Sequence, residues 1–198
     1  MANKTKDRKG SIIDVQPLRS SEEISEFRDA LKVAGKTARG DFSNRNLLLF
    51  NIGVNTGLRI GDIVQLRIED VKGKSKMKIS EGKTKKVRTV ELGAIMGDIA
   101  DYLEDEPNEG YLFPSRSGEK PITTTQAYRI LTKASDLIGR NDIGTHTLRK
   151  TFGYHYYRLN KDVATLMEIF NHSDQATTKR YIGIREDEIA ASLKDFRI

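Results

Sequence analysis

Apolar residues recur at helical spacing along most of this chain, and one stretch alternates instead. Ile24, Phe27 and Leu31 lie on one helical face. That run opens on Ser20-Ser21-Glu22-Glu23, where Ser20 can cap and Glu23 can reach back to it as a capping box, and Gly35 ends it. A second helix is expected from about Ser43 to Asn55. Its residues Leu47, Leu48, Leu49, Phe50, Ile52 and Val54 are nearly continuous, so most of its sides are buried. Gly57 is a natural stop for it. Arg59 follows in a tight loop that enters a short helix with Ile63, Val64 and Leu66. Residues 72–92 change to period two. K-S-K-M-K-I-S and V-R-T-V-E-L flank the turn E-G-K-T-K-K, which predicts a β-hairpin.

Helical spacing then resumes. A helix is expected from Gly93 to Glu106 on Ile95, Ile99, Tyr102 and Leu103, stopped by Pro107. Residues 111–118, Y-L-F-P-S-R-S-G, read as a short extended piece ending in a turn. A helix from about Thr123 to Ile138 carries Ala127, Ile130, Leu131, Ala134 and Leu137, and another runs from Thr145 through Phe152, Tyr156 and Leu159. Tyr154, His155, Tyr156 and Tyr157 read as core packing with polar tips. Asp162 caps the next helix, with Val163, Leu166, Met167, Ile169 and Phe170. Asn171-His172-Ser173 breaks it, and Ser173 or Asp174 can cap the segment that bears Tyr181. From Glu186 to Ile198, the residues Ile189, Leu193 and Phe196 form an amphipathic stripe that needs a surface to cover, in its own subunit or a neighbour's. The fold class is mainly α with a small antiparallel β-sheet or hairpin.

Composition narrows the partner. A chain of 198 residues suits one compact domain, placed at residues 20–198. Residues 1–19 are read as a flexible basic arm, with Ile12, Ile13 and Val15 as its docking points. The net charge of +6 favours a polyanion, most plausibly nucleic acid. The absence of cysteine excludes disulfides, zinc-thiolate sites and cysteine nucleophiles, and fits a cytosolic protein. No apolar run approaches ~18 residues, so no membrane span is expected, and the polar start does not read as a signal peptide. No carboxylate cluster suggests Mg²⁺, so no cofactor or metal is expected.

The candidate chemistry is concentrated between Thr145 and Tyr181. His146 and Arg149 are three apart and share a helical face. His172 follows the next helix, and Tyr181 lies nine residues beyond it, two and a half turns if that stretch is helical. Guanidinium grips phosphate oxygens as a fork, imidazole moves protons near neutral pH, and a phenol can be a nucleophile. Arg59 has Asp62 three residues on, a pairing that taken alone is an ordinary helix start. Lys83, Lys85 and Lys86 crowd the hairpin tip; such a run is usually a solvated face, but a basic hairpin can also reach into a DNA groove.

Taken in order, T-G-L-R-I-G-D at 56–62, K-T-K at 83–85, H-T-L-R at 146–149 and N-H-S-D-Q-A-T-T-K-R-Y-I at 171–182 resemble the tyrosine recombinase, or phage integrase, family. The resemblance covers roughly residues 20–198 and implies the α+β catalytic-domain fold of that family. It also implies roles. Arg59 looks like the first arginine, with Asp62 as its supporting acid. Lys83 looks like the hairpin lysine, although Lys85 and Lys86 are close. His146 and Arg149 look like the HxxR pair, His172 like the second histidine, and Tyr181 like the nucleophile. Lys85, Lys86 and Arg88 are the expected DNA contacts.

The implied reaction is cleavage and rejoining of double-stranded DNA through a 3′-phosphotyrosyl intermediate, without metal or ATP. The implied assembly is a homotetramer on DNA, with the C-terminal helix docking in cis or in trans. Two departures stand out. Most members carry a separate N-terminal core-binding domain, whereas here only about 20 residues precede the first helix, so the expectation is either a catalytic fragment or a short member; and Asn171 stands where the family usually has Gly. A non-catalytic DNA-binding module and a relaxing enzyme of the type IB kind are the alternatives. The target site and the host element are not legible.

Overall fold

The computed structural model describes residues 4–6, 12–104, 109–116, 118–194 and 196–197. The described residues are mostly helical, with three separate two-stranded antiparallel pairs. Two pairs were not expected: β1 (Lys4–Lys6) with β2 (Ile12–Asp14), and the short β3 (Lys36–Thr37) with β4 (Gly40–Asp41). The third, β5 (Lys76–Ser80) with β6 (Val87–Glu91), is the expected hairpin. Its register pairs Met77 with Val90, and both are buried, while the flanking Lys76–Glu91 pair forms an ion pair of 3.0 Å at the surface.

The helical body is built on α1 (Ser21–Gly35) and α2 (Ser43–Thr56). Leu48, Leu49, Phe50 and Ile52 of α2 are all buried, as their near-continuous run requires. One-turn helices α3 (Ile60–Ile63) and α4 (Ile68–Val71) lead into the hairpin. The helix after the hairpin is shorter than expected. A 3₁₀ turn at Gly93–Ile95 precedes α5 (Met96–Tyr102), which ends at Leu103; the expected continuation through Glu106 and Pro107 reaches beyond the described residues. The body is completed by α6 (Thr124–Leu137) and α7 (Thr145–Asn160), where α1 packs on α6 and α2 on α7. Leu159, expected on the buried stripe of α7, is 83% exposed because the last turn of the helix runs past the core.

Local caps follow the side-chain chemistry. Thr123 and Gln126 form a reciprocal capping box on α6. At α1 only half of the expected box exists. Ser20 Oγ accepts from Glu23 N at 3.2 Å, but the Glu23 carboxylate takes the Arg19 amide at 2.7 Å and Arg140 at 3.2 Å. The expected arm also docks further upstream than residue 20. Val15 and Leu18 are buried, Gln16 N donates to Asp142 O at 2.9 Å, and Leu18 N donates to Thr151 Oγ1 at 2.9 Å. Ile12 and Ile13 lie in β2, and their side chains lie outside the described set.

A second apolar cluster lies beyond α7. It joins Tyr154 and Tyr157 of α7 to Leu166 and Phe170 of α8 (Val163–Phe170), and to Ile182 and Ile184 after α9 (Gln175–Tyr181). Each fully buried Leu, Phe or Ile contributes about 1.5–3 kcal/mol. Asp162 caps α8 through Thr165 N at 3.0 Å, and Asp174 caps α9 through Thr177 N at 2.7 Å. The last helix, α10 (Ile184–Leu193), starts earlier and ends sooner than expected, so Phe196 lies past its end. Its first half is held within the chain: Asp187 pairs with Arg19, and Glu188 accepts from Tyr157 Oη at 2.7 Å and Lys179 Nζ at 2.9 Å. Leu193 and Phe196 remain 57% and 66% exposed.

Gly153 shows how tightly α7 meets this cluster. A Cβ there would stand 2.6 Å from Ile182 Cγ2 and 2.8 Å from the Phe170 ring. Overpacking of this kind costs about 1–3 kcal/mol, against a helix-propensity gain of about 1 kcal/mol for Gly→Ala. Gly153→Ala is therefore expected to lower unfolding free energy by on the order of 1 kcal/mol, measured by urea denaturation. Gly93→Ala, where a Cβ meets nothing within 4 Å, is the control and should stay near wild type.

Candidate active site

The site forms where the end of α2, the hairpin loop, the start of α7 and the α8–α9 turn converge. Gly57 ends α2 at φ 63°. A Cβ at that position would lie 2.5 Å from the Phe152 ring, so both the conformation and the space require glycine. The turn frees the Gly57 carbonyl, which accepts from Arg149 Nη1, and it swings Arg59 toward the hairpin. Arg149 is only 3% exposed. Its guanidinium also donates to Ile169 O at 3.4 Å and lies 4.3 Å from the centre of the Phe170 ring. Burial lowers its pKa to about 10, and it stays a cation at neutral pH.

Tyr181 is brought in by a break in the helix. The stretch from His172 is not one continuous helix, as spacing alone had allowed. Asn171 takes the left-handed conformation at φ 53°, which suits Asn in the place of Gly, and α9 restarts at Gln175. The turn brings the His172 and Tyr181 rings edge to face at 5.3 Å, with Phe170 5.5 Å from Tyr181. Tyr181 Oη lies 3.2 Å from His146 Nδ1. His172 Nδ1 is engaged with Thr178 Oγ1 at 3.1 Å, so any further hydrogen bond from this ring comes from Nε2.

The electrostatics match this crowding. Burial lowers the His146 pKa to about 4, helped by the charges of Lys150, Arg149, Lys83 and Arg59. His172 is lowered too, by burial first and then by Arg149 and Arg59. Burial pushes Tyr181 up to about 12, against the pull of Arg149 and Arg59. At neutral pH the ground state therefore holds a neutral imidazole against a protonated phenol.

The structure thus brings Arg59, His146, Arg149, His172 and Tyr181 into one site, with Lys83 close enough for its charge to act on His146. Lys83 is exposed on the loop between β5 and β6, as are Lys85 and Lys86. Lys86 Nζ donates to Asn171 Oδ1, so a second hairpin lysine also reaches the site.

Two expectations change. Arg88, expected to contact DNA from the hairpin, turns inward: its Nη2 donates to Thr56 O at 3.3 Å, and its Nε lies 3.3 Å from Glu81 Oε1. Asp62, expected to support Arg59, instead accepts from Gly82 N at 2.9 Å. The acid that holds Arg59 is Glu81, which sequence reading missed. Its one signal was its place as the lone acid of a hairpin tip otherwise rich in lysine. Lys150 was also missed. It is a buried lysine whose ammonium donates to Val15 O and lies 5.7 Å from the centre of the Tyr181 ring.

Known proteins are similar to this chain in sequence and in fold. Residues 20–188 match the model of the phage integrase family. The chain is 45% identical over 183 residues to the probable integrase/recombinase YoeC of Bacillus subtilis (strain 168), covering 92% of this chain and 97% of that protein. It is 30% identical over 159 residues to a tyrosine recombinase XerC of Caldanaerobacter subterraneus, covering 76% of this chain but 44% of that protein. Among solved structures, XerH site-specific recombinase in a post-cleavage complex with palindromic difH substrate matches with TM-score 0.68 at 22% identity, over 91% of this chain and 53% of that one. XerA recombinase matches with TM-score 0.66 at 22% identity, over 92% of this chain and 67% of that one. The chain therefore spans nearly all of YoeC and about half of the XerC and XerH chains. With Arg59, His146, Arg149, His172 and Tyr181 gathered in one site, this chain belongs to the phage integrase family, the tyrosine recombinases.

Proposed function

We propose that this chain is the catalytic unit of a site-specific DNA recombinase, with Tyr181 as nucleophile. The observation that carries the reading is the Tyr181–His146 contact of 3.2 Å beside a buried arginine that acts on the phenol. Arg59 and Arg149 would bind the non-bridging oxygens of the scissile phosphate and stabilise the charge of the pentacoordinate transition state. His172 Nε2 would add one hydrogen bond to the same oxygens.

A phenol with a pKa of about 12 is almost wholly protonated at pH 7. Forming a free phenolate would cost about 7 kcal/mol, so proton transfer accompanies attack. His146 is the base within reach. The incoming phosphate offsets the cations that depress His146, so the imidazole becomes a better base as DNA binds. Lys83 would protonate the departing 5′-oxygen. The products are a 3′-phosphotyrosyl link and a free 5′-hydroxyl, and the reverse attack of a hydroxyl on that link reseals the strand. The arginines and the lysine supply the charge stabilisation that a metal would otherwise bring, and the phosphotyrosyl bond retains the energy that ATP would otherwise provide. The partner is double-stranded DNA, and the protein works at the nucleoid. No helix among the described residues is long and apolar enough to cross a membrane.

The direct test is relaxation of supercoiled plasmid in EDTA, wild type beside Tyr181→Phe. The expected outcome is relaxation by wild type only, with protein covalently attached to the 3′ end. Loss of wild-type activity in EDTA would refute the metal-free roles. Adduct formation by Tyr181→Phe would remove Tyr181 as nucleophile.

His146 also makes a stability prediction. Its folded pKa of about 4 lies below the ordinary 6.5, so the unfolded chain binds more protons between those values. Its contribution is fully present above pH 6.5 and is lost as pH falls toward 4. The loss is at most about 3 kcal/mol. Denaturant titrations from pH 4 to 7 should show a flatter slope for His146→Asn than for wild type.

Assembly follows from α10. Its start is pinned within the chain, and the exposed Leu193 and Phe196 are offered to another subunit of a DNA-bound tetramer. Deleting residues 186–198 should then leave DNA binding intact but remove complexes larger than a single bound protomer in sedimentation. Unchanged assembly would place the helix in cis.

A further inference from the structure

Glu81 is a buried charge that the proposed chemistry leaves unused. Its side chain is 3% exposed, and it lies at the point where α2, the Arg59 turn and the hairpin loop meet. Oε2 accepts from Arg59 Nη1 and from Thr84 Oγ1 at 2.9 Å, while Oε1 faces Arg88 Nε at 3.3 Å. Its main chain closes the lysine-bearing loop: Glu81 N donates to Lys86 O at 3.0 Å, and Lys85 N donates to Glu81 O at 2.8 Å. The next residue, Gly82, is held by Asp62.

Two uses of such a carboxylate are chemically distinct. A plug would take both prongs of the Arg59 fork and exclude phosphate. A strut would take one nitrogen and leave the rest for phosphate. The contact to Arg59 is through Nη1, and a guanidinium with one nitrogen engaged still presents the Nη2–Nε edge for a bidentate grip. Arg88, on the other side of the carboxylate, is anchored to Thr56 O, so Glu81 is braced against a fixed cation. Its own carboxyl is acidified: burial acts to raise its pKa, but hydrogen bonds from Arg59 and Thr84 and the charges of Arg59 and Arg149 outweigh that, so the anion persists at neutral pH.

We infer that Glu81 is a positioning residue for Arg59, a one-nitrogen strut that aims the free edge of its guanidinium at the scissile phosphate and fixes it to the loop that carries Lys83. The inference rests on the active-site reading above and adds a residue to it. The strut is placed by the hairpin loop, so the geometry of phosphate binding and the reach of the lysine are set by one side chain.

A double-mutant cycle tests it, read as the single-turnover rate of covalent adduct formation on plasmid DNA. Glu81→Gln is isosteric and keeps an acceptor oxygen; Glu81→Ala removes the strut. In the wild-type background, Glu81→Ala is expected to slow the step about 100-fold, the scale of a misplaced catalytic group, with Glu81→Gln recovering part of that. In an Arg59→Lys background the same changes should matter less than about threefold, because a residue acting through Arg59 has nothing left to position. Equal losses in both backgrounds would show a general structural role and overturn the inference. Unchanged or faster cleavage by Glu81→Gln, at an unchanged unfolding midpoint, would overturn it too, because that is the behaviour of a plug. If wild type forms no adduct at all, the active-site reading itself fails. The strut is then decided by NMR of the Arg59 Nε–H resonance: ordered in wild type and averaged in Glu81→Ala if Glu81 positions it, identical in both if it does not.

Discussion

Buried positive charge is the constraint around which this molecule is built. Arg149 is almost wholly out of water, Arg59 and Arg88 are largely so, and Lys150 lies beneath Tyr181. Guanidinium burial without compensation costs several kcal/mol per ion, and the fall of the Arg149 pKa to about 10 corresponds to about 3 kcal/mol. For the arginines the compensation comes from the carbonyls of Thr56, Gly57 and Ile169, the Phe170 face and the Glu81 carboxylate, and for Lys150 from Val15 O and Asp14. These groups come from several parts of the chain. The fold therefore holds these cations charged and in place by itself, which is what electrostatic preorganisation for the proposed phosphate contacts requires.

The second apolar cluster does a different job. It ties α8 and α9 to α7 through Phe170, Ile182 and Leu166, and the left-handed Asn171 turns the chain between them. His146 is on α7, His172 follows α8, and Tyr181 ends α9, so packing of this small unit sets the distances among these three side chains. Phe170 has two roles, as a core residue and as the face on which Arg149 rests. The candidate site and the local hydrophobic core thus share atoms. A perturbation such as an added Cβ at Gly153 reaches Phe170 and Ile182 together.

Much of this was legible in the chain. The spacing of Ile24, Phe27 and Leu31, the unbroken run in α2, and the alternation around the lysine-rich turn became the elements they suggested. The glycine stop at 57 and the aspartate caps at 162 and 174 are local and depend on a few neighbouring groups, so they can be read without the fold. Ends were less legible. Leu159 fits the α7 stripe but lies past the core, and α5 ends at Tyr102, short of where its periodicity would carry it.

The sequence alone determined which functional groups are available, in what order, and at what helical offset: His146 with Arg149 on one face, and His172 and Tyr181 bracketing a capped turn. Those are consequences of backbone period and cap chemistry, which act over a few residues. Only the tertiary structure decided which charge meets which. Asp62, three residues from Arg59, proved to hold the hairpin loop, while Glu81, twenty-two residues away, holds the arginine. Arg88, expected to contact DNA, proved to face inward against the same carboxylate. The reason is physical. Burial makes pairing of a charge obligatory but does not name the partner, and the partner is whichever opposite charge the folded chain brings within reach in low dielectric.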